Sequence, residues 1–112
     1  MFGTFHALWT FDVTDSESWN IAARKSLSVL QARPGFISAN IFHSADSPER
    51  YLVQTDWQDV GSYRRALGST EAKIEVWPFL ADMHDEPTAF EKLFTMNLDS
   101  ATEYETSVND GV

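Results

Sequence analysis

Residues 33–58 read RPGFISANIFHSADSPERYLVQTDWQ, and their pattern is the strongest indication of the fold. Pro34 and Gly35 end a preceding helix and turn the chain, because proline lacks the amide hydrogen that a helix needs and glycine accepts a positive φ. In the two segments that follow, residues 36–43 and 51–57, the side chains alternate with period two. Such alternation is typical of strands, and a short polar loop between two strands predicts an antiparallel hairpin.

Both faces of this hairpin carry apolar residues, which an antiparallel sheet with one face in water would not show. Phe36 and Phe42 alternate with Ile37 and Ile41 along its first strand. We therefore expect the helices of this chain to cover one face of the hairpin and something else to cover the other.

The composition is that of one globular domain with an acidic excess. The 112 residues include 17 Asp and Glu against 8 Lys and Arg, so the formal net charge is −9, which disfavours nucleic acid as a partner. The sequence has no Cys, which excludes disulfides, a thiolate nucleophile and Cys-bound metals. No apolar run reaches the roughly 18 residues of a membrane span, and no signal-peptide pattern is present. We expect a cytoplasmic protein with no membrane partner.

Hydrophobic periodicity predicts five further elements: a strand over residues 3–13, a helix over 16–32, helical segments over 59–68 and 70–77, and a strand over 88–98. Thr14 and Glu17 have the spacing of a capping box ahead of the first helix. Ile74, Trp77 and Leu80 are predicted to form the inner face of the later helical segment.

The predicted order β-α-β-β-α-β is the ferredoxin-like arrangement of the α+β class. Its antiparallel four-stranded sheet carries two helical segments on one face only. The other face would leave an apolar patch in water, so we expect a face-to-face homodimer. The domain is predicted to span residues 1–98, and the acidic residues 99–112 are predicted to form a flexible tail with little to bury.

Four short motifs occur in a known arrangement: Pro34-Gly35-Phe36, Arg50-Tyr51-Leu52, Trp57 at a strand end, and a short helix followed by Ser69. In this arrangement the chain resembles the antibiotic biosynthesis monooxygenase family over residues 5–96. The resemblance implies a dimeric α+β barrel with a ligand pocket between the sheet and the helices of each subunit. It also implies a range of functions, which includes cofactor-independent oxygenation of aromatic polyketides, haem degradation, and small-molecule isomerisation or binding.

Two places in the sequence depart from the family pattern and bear on haem. Ala66 stands nine positions after Trp57, where many members carry His and the haem degraders carry Trp. Val76 and Trp77 stand near the place where the haem degraders have their ligand His. The resemblance therefore disfavours haem degradation in this chain, and we expect no cofactor.

Three polar side chains are candidates for catalysis: His6, Asn40 and Tyr63. His6 on the first strand could be a general base, because histidine titrates near neutral pH, or a satisfied structural residue. Asn40 could anchor a ligand carbonyl or enolate, or make a contact at the dimer face. Tyr63 could donate to a phenolate oxygen, or be a half-exposed helix residue. The run His84-Asp85-Glu86 has metal-ligand residue types, but sequence neighbours rarely converge on one ion, so no metal site is predicted.

Four side chains from several elements are predicted to line the pocket between sheet and helices: Trp9, Trp57, Ala66 and Trp77. An apolar pocket with a few polar groups suits a flat aromatic ligand. The alternative for Trp57 is to pack the hairpin against the second helical segment. The alternative for Trp9 and Trp77 is to fill the core.

Three functions remain open. We favour a cofactor-independent oxygenase that acts on a small aromatic, quinol or polyketide-type substrate, whose anion itself reduces dioxygen while the protein binds, deprotonates and excludes water. The second is a non-catalytic small-molecule-binding or stress-associated dimeric barrel, which Ala66 favours because it replaces the family His. The third is a structural dimer whose pocket is filled by its own aromatic side chains.

Overall fold

Strand β1 (Phe5–Asp12) lies inside a four-stranded antiparallel sheet, between β3 (Arg50–Trp57) and β4 (Ala89–Glu91). Strand β2 (Phe36–His43) pairs with the other side of β3, so the strand order is β2-β3-β1-β4. Helix α1 (Ser16–Gln31) connects β1 to β2, and α2 (Val60–Leu67), α3 (Thr70–Glu75) and α4 (Trp77–Leu80) connect β3 to β4. The computed structural model describes residues 1–107 and confirms the predicted α+β ferredoxin-like fold.

The core lies between the helices and one face of the sheet. Every second residue of β1 from Phe5 to Phe11 is buried on this face. Strand β3 continues the layer with Val53, Thr55 and Trp57. The helices add Ala23, Leu30, Tyr63, Ala66, Ala72 and Val76. Removal of these apolar side chains from water is the main favourable term in folding.

The start of α1 and the turn after it are fixed by local contacts. Asp15, not the predicted Thr14, is the N-cap, and its carboxylate accepts from the Ser18 amide at 3.2 Å. A carboxylate at this position also suits the positive end of the helix dipole. Gly35 adopts a φ of +87°, and a Cβ there would lie 2.2 Å from the Ser62 Oγ. Glycine is therefore required where the Pro-Gly turn packs against α2.

The helical segment after α2 turns a different face inward from the predicted one. Ala72 and Val76 are buried, whereas Ile74 is 64% and Trp77 51% exposed. The prediction for Ile74 and Trp77 was wrong because it followed only the large apolar residues. Helix α3 lies close to α1, whose Ser26 hydroxyl donates to a carbonyl of α3 at 3.3 Å, and a small side chain fits this approach better than a large one.

The predicted fourth strand of the sheet is confirmed as β4, but its predicted bounds of 88–98 were wrong, because this segment forms two strands in different sheets. Only β4 joins the main sheet, and β5 (Phe94–Met96) pairs with β6 (Ala101–Glu103) in a separate hairpin. Alternation could not reveal the break, since both halves keep period two. The signal for the separate hairpin was the turn after β5, where the Asn97 Oδ1 accepts from the amides of residues 99 and 100, both at 2.9 Å.

Residues 99–107, the described part of the predicted tail, make contacts with the domain. The Tyr104 amide donates to the Leu93 carbonyl at 2.9 Å, and the Ser107 amide donates to the Glu91 carboxylate at 3.0 Å. The predicted boundary at residue 98 therefore falls inside the β5–β6 hairpin. Residues 108–112 lie outside the described residues, and the flexibility of the tail stays a prediction.

The face of the sheet away from the helices, called the open face below, is uncovered in the single chain. It carries the residues of β1 and β3 that alternate with the core residues, together with their neighbours on β2 and β4. Its apolar side chains are Leu8, Phe42, Leu52 and Phe90, of which the two phenylalanines are exposed. The face-to-face homodimer predicted from such a patch stays a prediction.

Candidate functional site

Four of the predicted site residues meet in the core between the sheet and α2. The Tyr63 ring centroid lies 6.5 Å from that of Trp9 and 5.9 Å from that of Trp57, and Ala66 belongs to the same buried cluster. Both tryptophans are fully buried and Ala66 is only 1% exposed. Their rings therefore pack against one another in the core, and Tyr63 is 8% exposed.

The environment of Tyr63 favours packing over proton transfer. Burial raises the pKa of Tyr63, because the phenolate would lose its hydration, and the nearby Trp9 and Thr88 side chains offset part of this rise. The Trp9 indole N–H nevertheless lacks a partner with hydrogen-bond geometry among the described residues. The Tyr63 hydroxyl therefore stays protonated at neutral pH.

Trp77 lies apart from this cluster, on the surface. Its indole N–H donates to the Leu67 carbonyl at 2.9 Å, and the Lys73 ammonium lies 5.7 Å from the ring centroid. These contacts tie the start of α4 to α2 and α3. The structure thus separates Trp77 from the other aromatic residues predicted to line a pocket.

His6 lies on the open face, in a polar network around Asp56 of β3. The His6 Nδ1 lies 2.5 Å from the Asp56 Oδ1, and it carries the proton because a carboxylate can only accept. In the neutral ring Nε2 is then an acceptor, and the Thr4 hydroxyl donates to it at 2.8 Å. Ser38 and Gln54 donate to the same carboxylate at 2.6 and 2.8 Å.

The Asp56 carboxylate is ionised at neutral pH. Burial by itself would raise the pKa of Asp56, but the hydrogen bonds from Ser38, Gln54 and His6 outweigh it and hold the pKa below its usual value. The anion fixes both the orientation and the tautomer of the His6 ring. A histidine held at Nδ1 by a carboxylate, with its Nε2 unprotonated, is equipped to act as a general base.

Asn40 shares the open face with His6 but does not touch it. It lies on β2, opposite Gln54 in the β2–β3 register, so a whole strand separates it from β1. Its side chain is exposed and makes no hydrogen bond within residues 1–107. The structure leaves the Asn40 amide open to solvent or to a second chain.

An apolar groove of about 370 Å³ lies on the open face next to His6, although neither His6 nor Asp56 is part of its lining. Its lining consists of Leu8, Thr10, Leu52, Glu86, Pro87 and Phe90. Phe90 stands opposite His6 in the β1–β4 register, and Leu8 follows His6 on the same face. The volume is in the range of small-ligand sites, so one ring system of modest size fits next to the His6–Asp56 pair.

A second and larger cavity, called the helix-side cleft below, opens between α1, the α3–α4 segment and the end of β1, with a volume of about 780 Å³. Three of its lining rings contact one another, with centroids 4.8 to 5.7 Å apart: Phe11, Trp19 and Phe79. Its lining also includes four carboxylates: Asp12, Asp15, Glu75 and Asp82. None of the residues predicted from the sequence as a site residue lines this cleft.

The loop with His84-Asp85-Glu86 serves to hold the end of β1. The His84 Nε2 lies 3.1 Å from the Asp12 carboxylate, and the Arg50 Nε donates to the same group at 3.0 Å. The Arg50 and His84 hydrogen bonds lower the pKa of Asp12. Within residues 1–107, no three His, Asp or Glu side chains are arranged to hold a metal ion.

Sequence reasoning missed Asp56 and the aromatic wall of the cleft for different reasons. The alternation along β3 places Asp56 on one face of the strand. Its pairing with His6 depends on the β1–β3 register, which the sequences of two separate strands do not predict. Trp19 lies within the helix predicted over residues 16–32, and Phe79 lies just beyond the helical segment predicted over residues 70–77. Trp19 and Phe79 come together only when α1 packs against the α3–α4 segment, which the sequence pattern does not predict.

Fold and cavities together define a small ferredoxin-like α+β domain with an apolar groove beside a histidine. A model of the antibiotic biosynthesis monooxygenase family matches residues 15–73, more than half of the 112 residues. The chain therefore belongs to this family, which confirms the resemblance seen in the motifs. No curated protein sequence matches it.

Solved structures from several organisms share the fold. SnoaB, a cofactor-independent oxygenase from Streptomyces nogalater, is 19% identical with a TM-score of 0.67, over 88% of this chain and 99% of SnoaB. A protein from Nitrosomonas europaea assigned to the antibiotic biosynthesis monooxygenases is 17% identical with a TM-score of 0.66, over 83% and 93% of the two chains. A conserved protein from Methanosarcina mazei Go1 is 15% identical with a TM-score of 0.63, over 80% and 89%. At these identities the likeness shows the fold alone.

Helices in residues 1–107 are all too short or too polar to cross a membrane. The cytoplasmic location expected from the sequence stays a prediction.

Proposed function

We propose that this chain is a cofactor-independent oxygenase that acts on a small aromatic substrate of the quinol or polyketide type. The observation that carries the proposal is the His6–Asp56 pair beside the apolar groove of the open face. Membership of the antibiotic biosynthesis monooxygenase family supports the reaction class. The structural likeness to SnoaB, a cofactor-independent oxygenase, is in line with it.

His6 is the general base in this proposal. A substrate hydroxyl that replaces the Thr4 hydroxyl at the His6 Nε2 passes its proton to the ring, and the Asp56 carboxylate stabilises the imidazolium that forms. In this proposal the flat ring of the substrate lies on Leu8 and Phe90, and its hydroxyl reaches past the groove lining to the Nε2, which faces Thr4.

The substrate anion then supplies the electrons, and dioxygen is the oxidant. A ring CH₂ becomes a carbonyl: one oxygen atom of dioxygen bonds to that carbon, and the other leaves as water with the two hydrogens that the carbon loses. The protein has to take one proton, hold the ring and keep bulk water away from the anion.

Electrostatics favour the open face over the helix-side cleft for this reaction. A phenolate or enolate in the cleft would stand among four carboxylates and one ammonium group, whereas the lining of the groove has one carboxylate, that of Glu86. The proposed site therefore differs from the position that the family resemblance implied, between the sheet and the helices.

A second copy of the chain would complete the site. The groove is open to solvent in the single chain, and the exposed Phe42 and Phe90 border this face. A face-to-face homodimer would bury these rings and close the groove, which excludes water from the reacting anion.

Oxygen uptake with anthrone, a tricyclic compound whose ring CH₂ enolises to give the hydroxyl that His6 would deprotonate, tests the proposal. We expect His6→Gln to lower the rate about 10²- to 10⁴-fold, the contribution typical of a general base. His43→Gln is the matched control, because His43 lies on β2 away from the groove and its ring nitrogen lies 2.6 Å from the Pro48 carbonyl oxygen. Equal rates for wild type and His6→Gln would contradict the role of His6.

The second candidate function is binding of a small molecule without catalysis. It is favoured by Ala66, which offers no functional group where the resemblance implied a His, and by a helix-side cleft whose lining contains no histidine among the described residues. Wild-type protein that binds ligands in the cleft but gives no oxygen uptake above the uncatalysed rate would decide for this alternative. Haem degradation stays disfavoured under both.

A further inference from the structure

We propose that the helix-side cleft binds an organic cation with an aromatic body. The inference does not rest on the proposed oxygenation, because the cleft and the open-face groove share no lining residue. The cleft lies on the helix side of the sheet, and its volume of about 780 Å³ is in the range of sites for small molecules.

The aromatic wall of the cleft supplies the apolar contact for such a ligand. Phe11, Trp19 and Phe79 pack against one another, with the Phe11–Phe79 centroids 4.8 Å apart and the Trp19–Phe79 centroids 5.7 Å apart. Their faces carry the negative side of the aromatic quadrupole, which attracts a cation placed within about 6 Å. Phe11 is only 1% exposed, so a flat ring that bears a positive charge would stack on the half-buried Trp19 and Phe79, which pack against Phe11.

The charged groups of the cleft give it a negative potential. Its lining has four carboxylates and a single ammonium group among the described residues, that of Lys25. Lys25 is paired with Glu75 at 3.0 Å, so it does not offer a free cation to an anionic ligand. The formal net charge of −9 for the whole chain adds to this potential.

Asp82 is the carboxylate in this set with the most freedom to bind a ligand. Asp12 is held by Arg50 and His84, and Asp15 caps α1. The Asp82 side chain makes no hydrogen bond or ion pair with any other residue in the range 1–107. It stands in the same lining as the aromatic wall, where it can pair with a ligand cation.

An anionic ligand is disfavoured at the one point of the cleft that could attract it. The first amides of α1 form the positive end of a helix dipole, which commonly binds anions. Here the Asp15 carboxylate occupies that place and accepts from the Ser18 amide at 3.2 Å. The protein therefore satisfies this end of the helix itself, and the cleft keeps its selectivity for positive charge.

Two fluorescent probes of the same tricyclic shape and opposite charge test the proposal: N-methylacridinium and anthracene-2-sulfonate. Anisotropy titrations at low salt should give a dissociation constant at least about tenfold lower for the cation. Asp82→Asn should raise the Kd of the cation about three- to fivefold, the size expected for one solvent-exposed ion pair. Added salt should weaken the binding of the cation by screening.

Asp99→Asn is the matched control, because it changes the net charge by the same amount at the β5–β6 turn, away from the cleft lining. It should leave the Kd of the cation unchanged, and so should His6→Gln, which separates this site from the proposed oxygenase site. Equal affinity for the two probes would overturn the proposal. So would equal effects of Asp82→Asn and Asp99→Asn, since binding would then follow only the charge of the whole chain.

Discussion

At the scale of one residue, Ala66 explains why we propose the substrate site on the open face and not between the sheet and α2. Its methyl group is 1% exposed and lies in the same cluster as Trp9, Trp57 and Tyr63. A pocket at this point would need space beside the methyl group, and the neighbouring rings occupy that space. The small side chain here follows from the large tryptophans around it, because interiors are packed to nearly constant density.

We therefore expect Ala66→Trp to destabilise the protein. A large ring forced into a packed core costs about 1–3 kcal/mol in the free energy of unfolding. Urea denaturation measures this loss, and Ala45→Trp in the exposed loop between β2 and β3 is the control, with no comparable effect. Unchanged stability for Ala66→Trp would mean that a cavity lies beside Ala66, and would return the ligand pocket to the place expected from the sequence.

His6 and Asp56 show what residue type alone can and cannot reveal. His6 was a candidate because histidine is the side chain most often used for proton transfer near neutral pH. The feature that makes it a base, a carboxylate 2.5 Å from its Nδ1, comes from a strand some fifty positions later in the chain. Asn40 was likewise a candidate from the sequence, but its side chain makes no hydrogen bond within residues 1–107.

At the scale of elements, the hairpin β5–β6 is the part that pattern analysis described least well. Its two strands pair from Phe94 with Glu103 to Met96 with Ala101, and Tyr104 is half-buried next to Gly3. A Cβ at Gly3 would lie 3.1 Å from the Tyr104 ring and 2.3 Å from the Lys92 carbonyl oxygen. The chain after residue 98 thus packs against the first residues of the domain.

Two truncations measure how much this hairpin contributes. Removal of residues 99–112 takes away β6 and Tyr104, and we expect a loss of about 1 kcal/mol, which corresponds to a Tm lower by about 4–8 °C in a domain near this size. Removal of residues 108–112 alone is the control and should leave the Tm unchanged. Equal Tm values for both truncated chains and the full chain would support the flexible tail predicted from the sequence.

Most elements could be predicted because their signals are local. The Pro-Gly turn and the alternation of residues 36–57 need no information from elsewhere in the chain. The structure has strands β2 and β3 in this stretch. The inner face of α3 could not be predicted in this way, because the choice of Ala72 over Ile74 reflects the closeness of α1. Whether Trp9 and Trp57 line a pocket or fill it likewise depends on packing, which sequence periodicity does not predict.

At the scale of the whole molecule, net charge and the open face act in opposite directions. Two copies that each carry a formal charge of −9 repel one another at long range. The apolar side chains of the open face favour association once two copies touch, because each Å² of apolar surface that is buried contributes about 25 cal/mol. Salt at 0.1 M screens the charge repulsion beyond about 10 Å and changes the apolar contribution little.

The homodimer prediction therefore has a specific form: association that strengthens as salt rises from low to physiological concentration. Sedimentation equilibrium at micromolar concentration should show a dimer, because a monomer rarely tolerates an exposed apolar face of this kind. Phe42→Lys should shift the equilibrium to monomer, since it places an ammonium group on the open face outside the groove lining.

Ile21→Lys is the control for this substitution, because Ile21 is 66% exposed on α1 and lies on the opposite side of the sheet. Both variants make the net charge less negative by the same amount, so a difference between them reports on the place of contact and not on charge. If the second copy closes the groove, oxygen uptake per chain should also fall when the protein is diluted below the dissociation constant of the dimer. A stable monomer at micromolar concentration in physiological salt would remove both the dimer and the water exclusion assigned to it, and the His6–Asp56 pair would then be a satisfied surface network on an open sheet.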